Sequence, residues 1–183
     1  MKQKKTNLVW VDLEMTGLDP KTCTILEICA VVTNSHLKVI AVGPSIAIHH
    51  SEKVLRSMES WSKHHHEKSG LTAECRASKI NLKQAEKMVL DFIKTHSVVK
   101  SSPLCGNSIW QDRRFLMEYM PKLESYLHYR MIDVSSVKEL VNRWYPEKYG
   151  MPKGSKSDAH RATDDILESI KELKFYRSKV FVR

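Results

Sequence analysis

No stretch of the 183-residue chain approaches the run of about 18 apolar residues that a membrane-crossing helix requires. No membrane partner is therefore expected. The first residues, "MKQKK", are basic, but no apolar segment follows them before the first strand-like stretch. That is not the pattern of a secretory leader, and a cytoplasmic location is expected. Cysteine is scarce: Cys23, Cys29, Cys75 and Cys105 are scattered, with no CxxC pair. Neither a disulfide scaffold nor a zinc knuckle is indicated, and the four are expected to be reduced and partly buried. Glycine and proline number six each, too few for a disordered or fibrous chain. There is no internal repeat and no linker long enough to divide the sequence.

What remains is the profile of an ordinary globular chain, 42% hydrophobic and 28% charged. The length suits one domain, residues 1–183, with a sizeable core. The net charge of +9 favours solubility and attracts polyanions, although many basic proteins never meet a nucleic acid.

The pattern of elements predicts an α/β domain with a mixed sheet. Residues 8–15, 24–34 and 37–50 read as three strands, the third interrupted at Gly43-Pro44. Short polar links between them suit an antiparallel meander. Ser51 is placed to cap the helix that follows. Residues 81–96 carry Leu82, Ala85, Val89 and Phe92 at helical spacing. "SPLCGN" is a short apolar run ending in a turn, and "IWQDRRFLMEYM" reads as a helix that stops before Pro121. "YRMIDV" reads as a strand, "SSVKELVNRWY" as a helix, 147–158 as a polar loop, and about 159–178 as the last helix.

The first strand raises a question. Leu8 to Val11 look like the middle of a buried strand, yet Asp12 and Glu14 follow at once. Side chains alternate along a strand, so the two acids share one face. A pair of this kind is most simply explained by a strand that has already emerged into water. Asp112 changes that view, because it shares a helical stripe with Phe115, Leu116 and Tyr119. Taken alone, it also suits a first-turn aspartate favoured by the helix dipole. In the last helix the apolar face runs through Ala162, Ile166, Ile170 and Leu173. At about 100° per residue, Asp165 falls on the flank of that face and Asp164 nearly opposite. Asp165 is thus the candidate for a site, and His160 lies about a turn earlier.

Four acids near a core cannot all stay ionised without partners, since each carries a desolvation penalty of several kcal/mol. Divalent cations resolve the conflict. An all-oxygen donor set suits Mg²⁺ or Mn²⁺, whereas zinc prefers histidine and cysteine. Two such ions about 4 Å apart are suited to phosphodiester hydrolysis. A histidine titrating near neutrality, here His160, is then the candidate base.

With these residues in place, "DLEMTGLD", "GNSIWQDRRF" and "HRATDD" resemble the three motifs of the DEDD exonucleases. The His-x-x-x-x-Asp form of the third motif marks the histidine subclass. The resemblance is strongest to the oligoribonuclease family and spans nearly the whole chain. "SGL" (69–71), "YMP", "HYR", "DVSS" and "KEL" extend it beyond the motifs. The resemblance implies a ribonuclease-H-like fold, a mixed sheet with three antiparallel strands followed by parallel ones, flanked by helices. It implies two Mg²⁺ or Mn²⁺ ions held by Asp12, Glu14, Asp112 and Asp165, with His160 as general base. The implied activity is 3′-to-5′ hydrolysis of very short RNA, down to dinucleotides, to 5′-mononucleotides. A homodimer is implied too, in which "HYR" of one subunit reaches the partner's site. By the same resemblance Tyr129 is a functional residue and Arg130 meets a substrate phosphate. Leu18 wedges against the bases and Trp61 stacks on one. His66 lies near the 3′ end, and Ser108 and Gln111 near the phosphate.

Plainer readings stand beside these. On sequence alone Trp61 packs in the core and Tyr129 is an ordinary core or interface tyrosine. The "HHH" run at 64–66 does not present its imidazoles together, because consecutive helical positions diverge; a solvated helix with one functional histidine, His66, is expected. His49 and His50 end a strand and need no function. Trp110 departs from the small or polar residue expected in the second motif, and is read as covering a neighbouring surface rather than stacking on substrate. Two rival functions remain: a DEDD-type exonuclease on longer DNA or RNA, and a catalytically dead nucleic-acid-binding module. The latter predicts loss of one of the five motif residues, and all are present.

Overall fold

The computed structural model describes residues 4–145, 149 and 161–181. The first expected strand is β1 (Leu8–Met15) and the second is β2 (Ile25–Thr33). The third is divided. Gly43-Pro44 separates β3 (Val39–Val42) from β4 (Ile46–Ala47), and both pair antiparallel with β2. Proline lacks the N–H a ladder needs. Gly43 also passes close under β2, where a Cβ would lie 2.8 Å from the Ala30 carbonyl oxygen.

The chain then becomes helical: α1 (Glu52–Arg56), α2 (Ser60–Lys68), α3 (Leu71–Ala77) and α4 (Leu82–His96). Ser51 occupies the N-cap position of α1, but its side chain makes no capping bond, contrary to expectation. Asn81 does cap α4, in a reciprocal box with Gln84 that satisfies two otherwise orphaned N–H groups. "SPLCGN" forms β5 (Pro103–Gly106), followed by α5 (Trp110–Tyr119) and a short α6 (Pro121–Tyr126). The strand β6 (His128–Asp133), α7 (Val134–Trp144) and α8 (Ala162–Lys179) complete the described elements. Arg161 is extended, so α8 begins later than the expected 159. The polar loop expected at 147–158 lies almost wholly outside the described residues.

The sheet runs β3-β2-β1-β5-β6, with β4 also on β2. Three antiparallel partners are thus followed by β5 and β6, both parallel to β1. The alternation of β1 assigns its two faces. Val9, Val11 and Leu13 join the core under α4, α5 and α6. Trp10 joins the opposite core, built with Ala162, Ile166, Ile170 and Tyr176 of α8 and Val134 and Val141 of α7. Asp12 and Glu14 continue the Trp10 face and therefore look toward α8. Because β1 and β5 are parallel, the end of β1 and the start of α5 meet at one edge of the sheet. All four cysteines are buried and unpaired.

Candidate active site

Three elements converge at that edge. β1 supplies Asp12 and Glu14, α8 supplies Asp165, and carboxylate oxygens of all three lie within 4.8 Å of one another. Asp112 enters from the first turn of α5. Its Oδ1 accepts the Leu13 N–H at 3.0 Å, in the backbone between the two β1 acids. Asp112 is buried with Phe115 and Leu116, as its stripe predicts. On α8, Asp165 is half-buried and Asp164 exposed, the order given by the helical wheel.

The electrostatics are those of crowded acids. Burial, then the charges of Asp112, Glu14, Asp165 and Glu27, push the Asp12 carboxyl well above the usual range. Glu14 is pushed from 4.5 up to about 8, by burial first and then by Asp165, Glu27 and Asp112; Arg161 opposes the shift. Asp112 is raised by burial, and the Leu13 N–H pulls the other way. β1 has not emerged into water. Its carboxylates are held where only a proton or a cation makes the charge tolerable. The donor set is all oxygen and fits hard divalent cations.

Around this cage the other named residues take distinct places. His66 is buried on α2, its Nε2 3.0 Å from the Met15 carbonyl oxygen and its Nδ1 3.8 Å from Glu14. His64 is exposed and His65 half-buried, so the run does diverge. Gln111 donates from Nε2 to the Leu18 carbonyl oxygen, tying α5 to the loop after β1. Leu18 itself is 64% exposed. That loop turns at Gly17, where a Cβ would lie 2.3 Å from the Glu59 carboxyl. Trp61 is not a core residue; it is exposed and stacks on His65 with centroids 3.9 Å apart. The turn before α5 holds Ser108 at φ 50, a left-handed conformation strained for a residue with a side chain. Its N–H donates to Asp133 Oδ1 at 3.0 Å and Ser135 Oγ at 2.9 Å.

Tyr129 and Arg130 stand apart from the cage. Both are exposed on β6, with the Arg130 guanidinium 5.3 Å from the Tyr129 ring centroid. Trp110 is also exposed, under the Arg114 guanidinium at 5.8 Å. His160 lies outside the described residues.

Three residues at or near the site were missed from sequence. Glu27, in β2, is fully buried and sits directly across from Glu14. Arg161 forms ion pairs with both Glu27 and Glu74. Arg113 binds Glu124 and donates to the Tyr129 carbonyl oxygen at 2.7 Å, fixing the start of β6. For Glu27 there was a signal: it is the single charge in a nine-residue strand whose every position is buried.

A sheet of this order with a carboxylate cage at the end of its central strand defines a nuclease class, and the exonuclease family model (RNase_T) matches residues 9–173. The fold is shared with exonuclease I of E. coli, solved with a dT13 oligonucleotide: TM-score 0.74 at 17% identity, over 95% of this chain and 41% of that one. A zinc-bound form of the same enzyme gives a TM-score of 0.75, again over 41% of its length. The chain is 53% identical over 181 residues to the oligoribonuclease of Shewanella loihica, covering 99% of both chains. It is 50% identical to the oligoribonuclease of Dichelobacter nodosus, covering 98% of this chain and 97% of that one. The chain belongs to the oligoribonuclease family of exonucleases.

Proposed function

We propose that this chain is a 3′-to-5′ exoribonuclease that hydrolyses very short RNA, dinucleotides included, to 5′-mononucleotides. The observation that carries the reading is the meeting of Asp12, Glu14 and Asp165 within 4.8 Å, with Asp112 bonded to the strand between the first two. Family membership supplies the substrate class. Asp12, Glu14, Asp112 and Asp165 would hold Mg²⁺ or Mn²⁺. Bound in pairs, such cations activate a water and stabilise both the attacking and the leaving oxygen of a phosphodiester.

The chain's own residues do the rest. Burial and mutual repulsion keep the carboxylates poised to exchange a proton for a cation. His160 takes the proton of the attacking water. Leu18, held in place through its carbonyl by Gln111, offers an apolar edge to the bases, and the exposed face of Trp61 offers a stacking platform. His66 lies beside Glu14, near where the 3′ end is bound. Ser108, in a turn locked by Asp133 and Ser135, lies near the phosphate with Gln111.

A homodimer fits the same reading. β6 ends the sheet, and Tyr129, Arg130 and Met131 are exposed on it. Leu140 and Trp144 of α7 are exposed as well. A second copy meeting this face would bring Tyr129 and Arg130 to its partner's substrate, where a guanidinium suits a phosphate. Among the described residues no helix is long and apolar enough to cross a membrane.

The test is a length-resolved assay. End-labelled RNA of two, five and twenty nucleotides is incubated with Mg²⁺, Mn²⁺ or chelator. Metal-dependent hydrolysis fastest on the shortest RNA is expected. No hydrolysis of any length sinks the enzyme reading, and preference for the twenty-mer assigns the chain to longer substrates.

A further inference from the structure

The N-terminus of α8 has no cap of its own: Arg161 stands at the N-cap position and makes no side-chain capping bond. Ionic and hydrogen-bond partners come from other elements. Glu27 Oε2 receives the Ala162 N–H at 3.4 Å, the first N–H of the helix, and Glu27 Oε1 binds Arg161 Nη2 at 3.0 Å and the Ser45 hydroxyl. The other side of the guanidinium is held by Glu74 of α3, with both Arg161 Nη atoms 2.8 Å from its carboxylate. The Arg161 carbonyl oxygen in turn accepts the N–H groups of Asp164 at 3.0 Å and Asp165 at 3.1 Å. One buried carboxylate on β2 thus substitutes for the missing cap and, through Arg161, fixes the turn that carries Asp165.

We propose that Glu27 and Arg161 are positioning residues that set the rotation of α8 about its axis and so hold the Asp165 carboxylate against Asp12 and Glu14 for cation binding. The inference rests on the metal reading given under Proposed function. Glu27 is itself one step back from the cage. It pairs with Glu14 across the β1-β2 ladder, but its oxygens are taken by Ser45, Arg161 and Ala162.

Charge and geometry make opposite demands here, and that allows a clean test. If only net charge mattered, Arg161→Gln would remove a positive charge beside the acids and tighten cation binding, while Glu27→Gln would weaken it. If positioning matters, both variants weaken it. Mn²⁺ binding to the full chain is measured by titration calorimetry and by the Mn²⁺ paramagnetic resonance signal, with folding checked by circular dichroism. The expected result is a loss of Mn²⁺ affinity of about tenfold in both variants. The metal concentration for half-maximal hydrolysis should rise in parallel, and turnover at saturating metal should largely recover. Arg161→Lys keeps the charge but not the planar fork and should remain weak. Glu74→Gln, which loosens only the outer partner, is the milder variant and should give a smaller loss in the same direction. Tighter or unchanged Mn²⁺ binding in Arg161→Gln, or full recovery in Arg161→Lys, overturns the proposal. Absence of Mn²⁺ binding by the unaltered chain instead sinks the metal reading on which it rests.

Discussion

Replacing Glu14 with glutamine should stabilise the metal-free protein and remove its response to metal. The Glu14 carboxyl is largely buried and is pushed from 4.5 up to about 8. The folded chain therefore binds a proton at Glu14 more tightly than the unfolded chain does. Between those two values the folded state carries more protons, so its stability falls as pH rises through the window. Below about pH 4.5 the penalty is absent, and above about 8 it is fully felt. For an isolated group, at 1.36 kcal/mol per tenfold change in proton affinity, the whole window corresponds to about 5 kcal/mol. The Asp12 and Asp112 carboxyls are raised as well and compete for protons in the same buried cluster, so relieving Glu14 alone should return about 1–2 kcal/mol. In a chain of this length that is a rise in Tm of about 2–8 °C. The assay is thermal unfolding of the wild type and of Glu14→Gln in chelator at pH 5 and pH 8, then with Mg²⁺ or Mn²⁺. The difference between the two proteins isolates Glu14 from the other groups that titrate. At pH 8 without metal the variant should be the more stable, and at pH 5 the two should converge. Metal at a hundred times its Kd should add about 2.7 kcal/mol to the wild type and far less to the variant. A variant less stable than the wild type at pH 8 in chelator would refute the view that these acids are held at a cost.

Asp165→Asn should lower turnover about a hundredfold or more, whereas the exposed Asp164→Asn should retain turnover and change stability by no more than about 0.5 kcal/mol; equal losses of activity would remove the distinction between the two faces of α8. Arg130→Ala should raise KM most for dinucleotides, measured against five- and twenty-nucleotide RNA, and a uniform effect across lengths would argue against contact with a substrate phosphate. Arg113→Ala strips Glu124 and the His128 and Tyr129 carbonyls of their donor. It should cost about 1–3 kcal/mol in denaturant unfolding and, by loosening the start of β6, weaken the proposed dimer measured by light scattering; unchanged stability and assembly would reduce Arg113 to a surface residue.

What could be read from sequence was what local period controls. Alternation along β1 put Asp12 and Glu14 on one face, and the three-to-four spacing of α5 and α8 put Asp112 and Asp165 toward the core and Asp164 away from it. What could not be read was set by partners far along the chain. Trp61 carries an apolar ring that usually buries, and only the assembled fold leaves α2 with that side uncovered. Ser51 has the right type for a cap, but its side chain accepts no N–H of α1. At the start of α8 the reverse holds: the local residue is an arginine, the wrong type for a cap, and the acceptor comes from Glu27, 135 positions away. Glu27 shows where inference from a single chain can be extended. A carboxylate inside a wholly buried strand must find donors, because leaving it without them would cost several kcal/mol. Its presence in "ILEICAVVT" thus demands partners before any coordinate is known. The sequence cannot say that these are Ser45, Arg161 and the first N–H of α8, since nothing local connects them. The chemistry of a buried acid states that a partner exists, and only the fold says which.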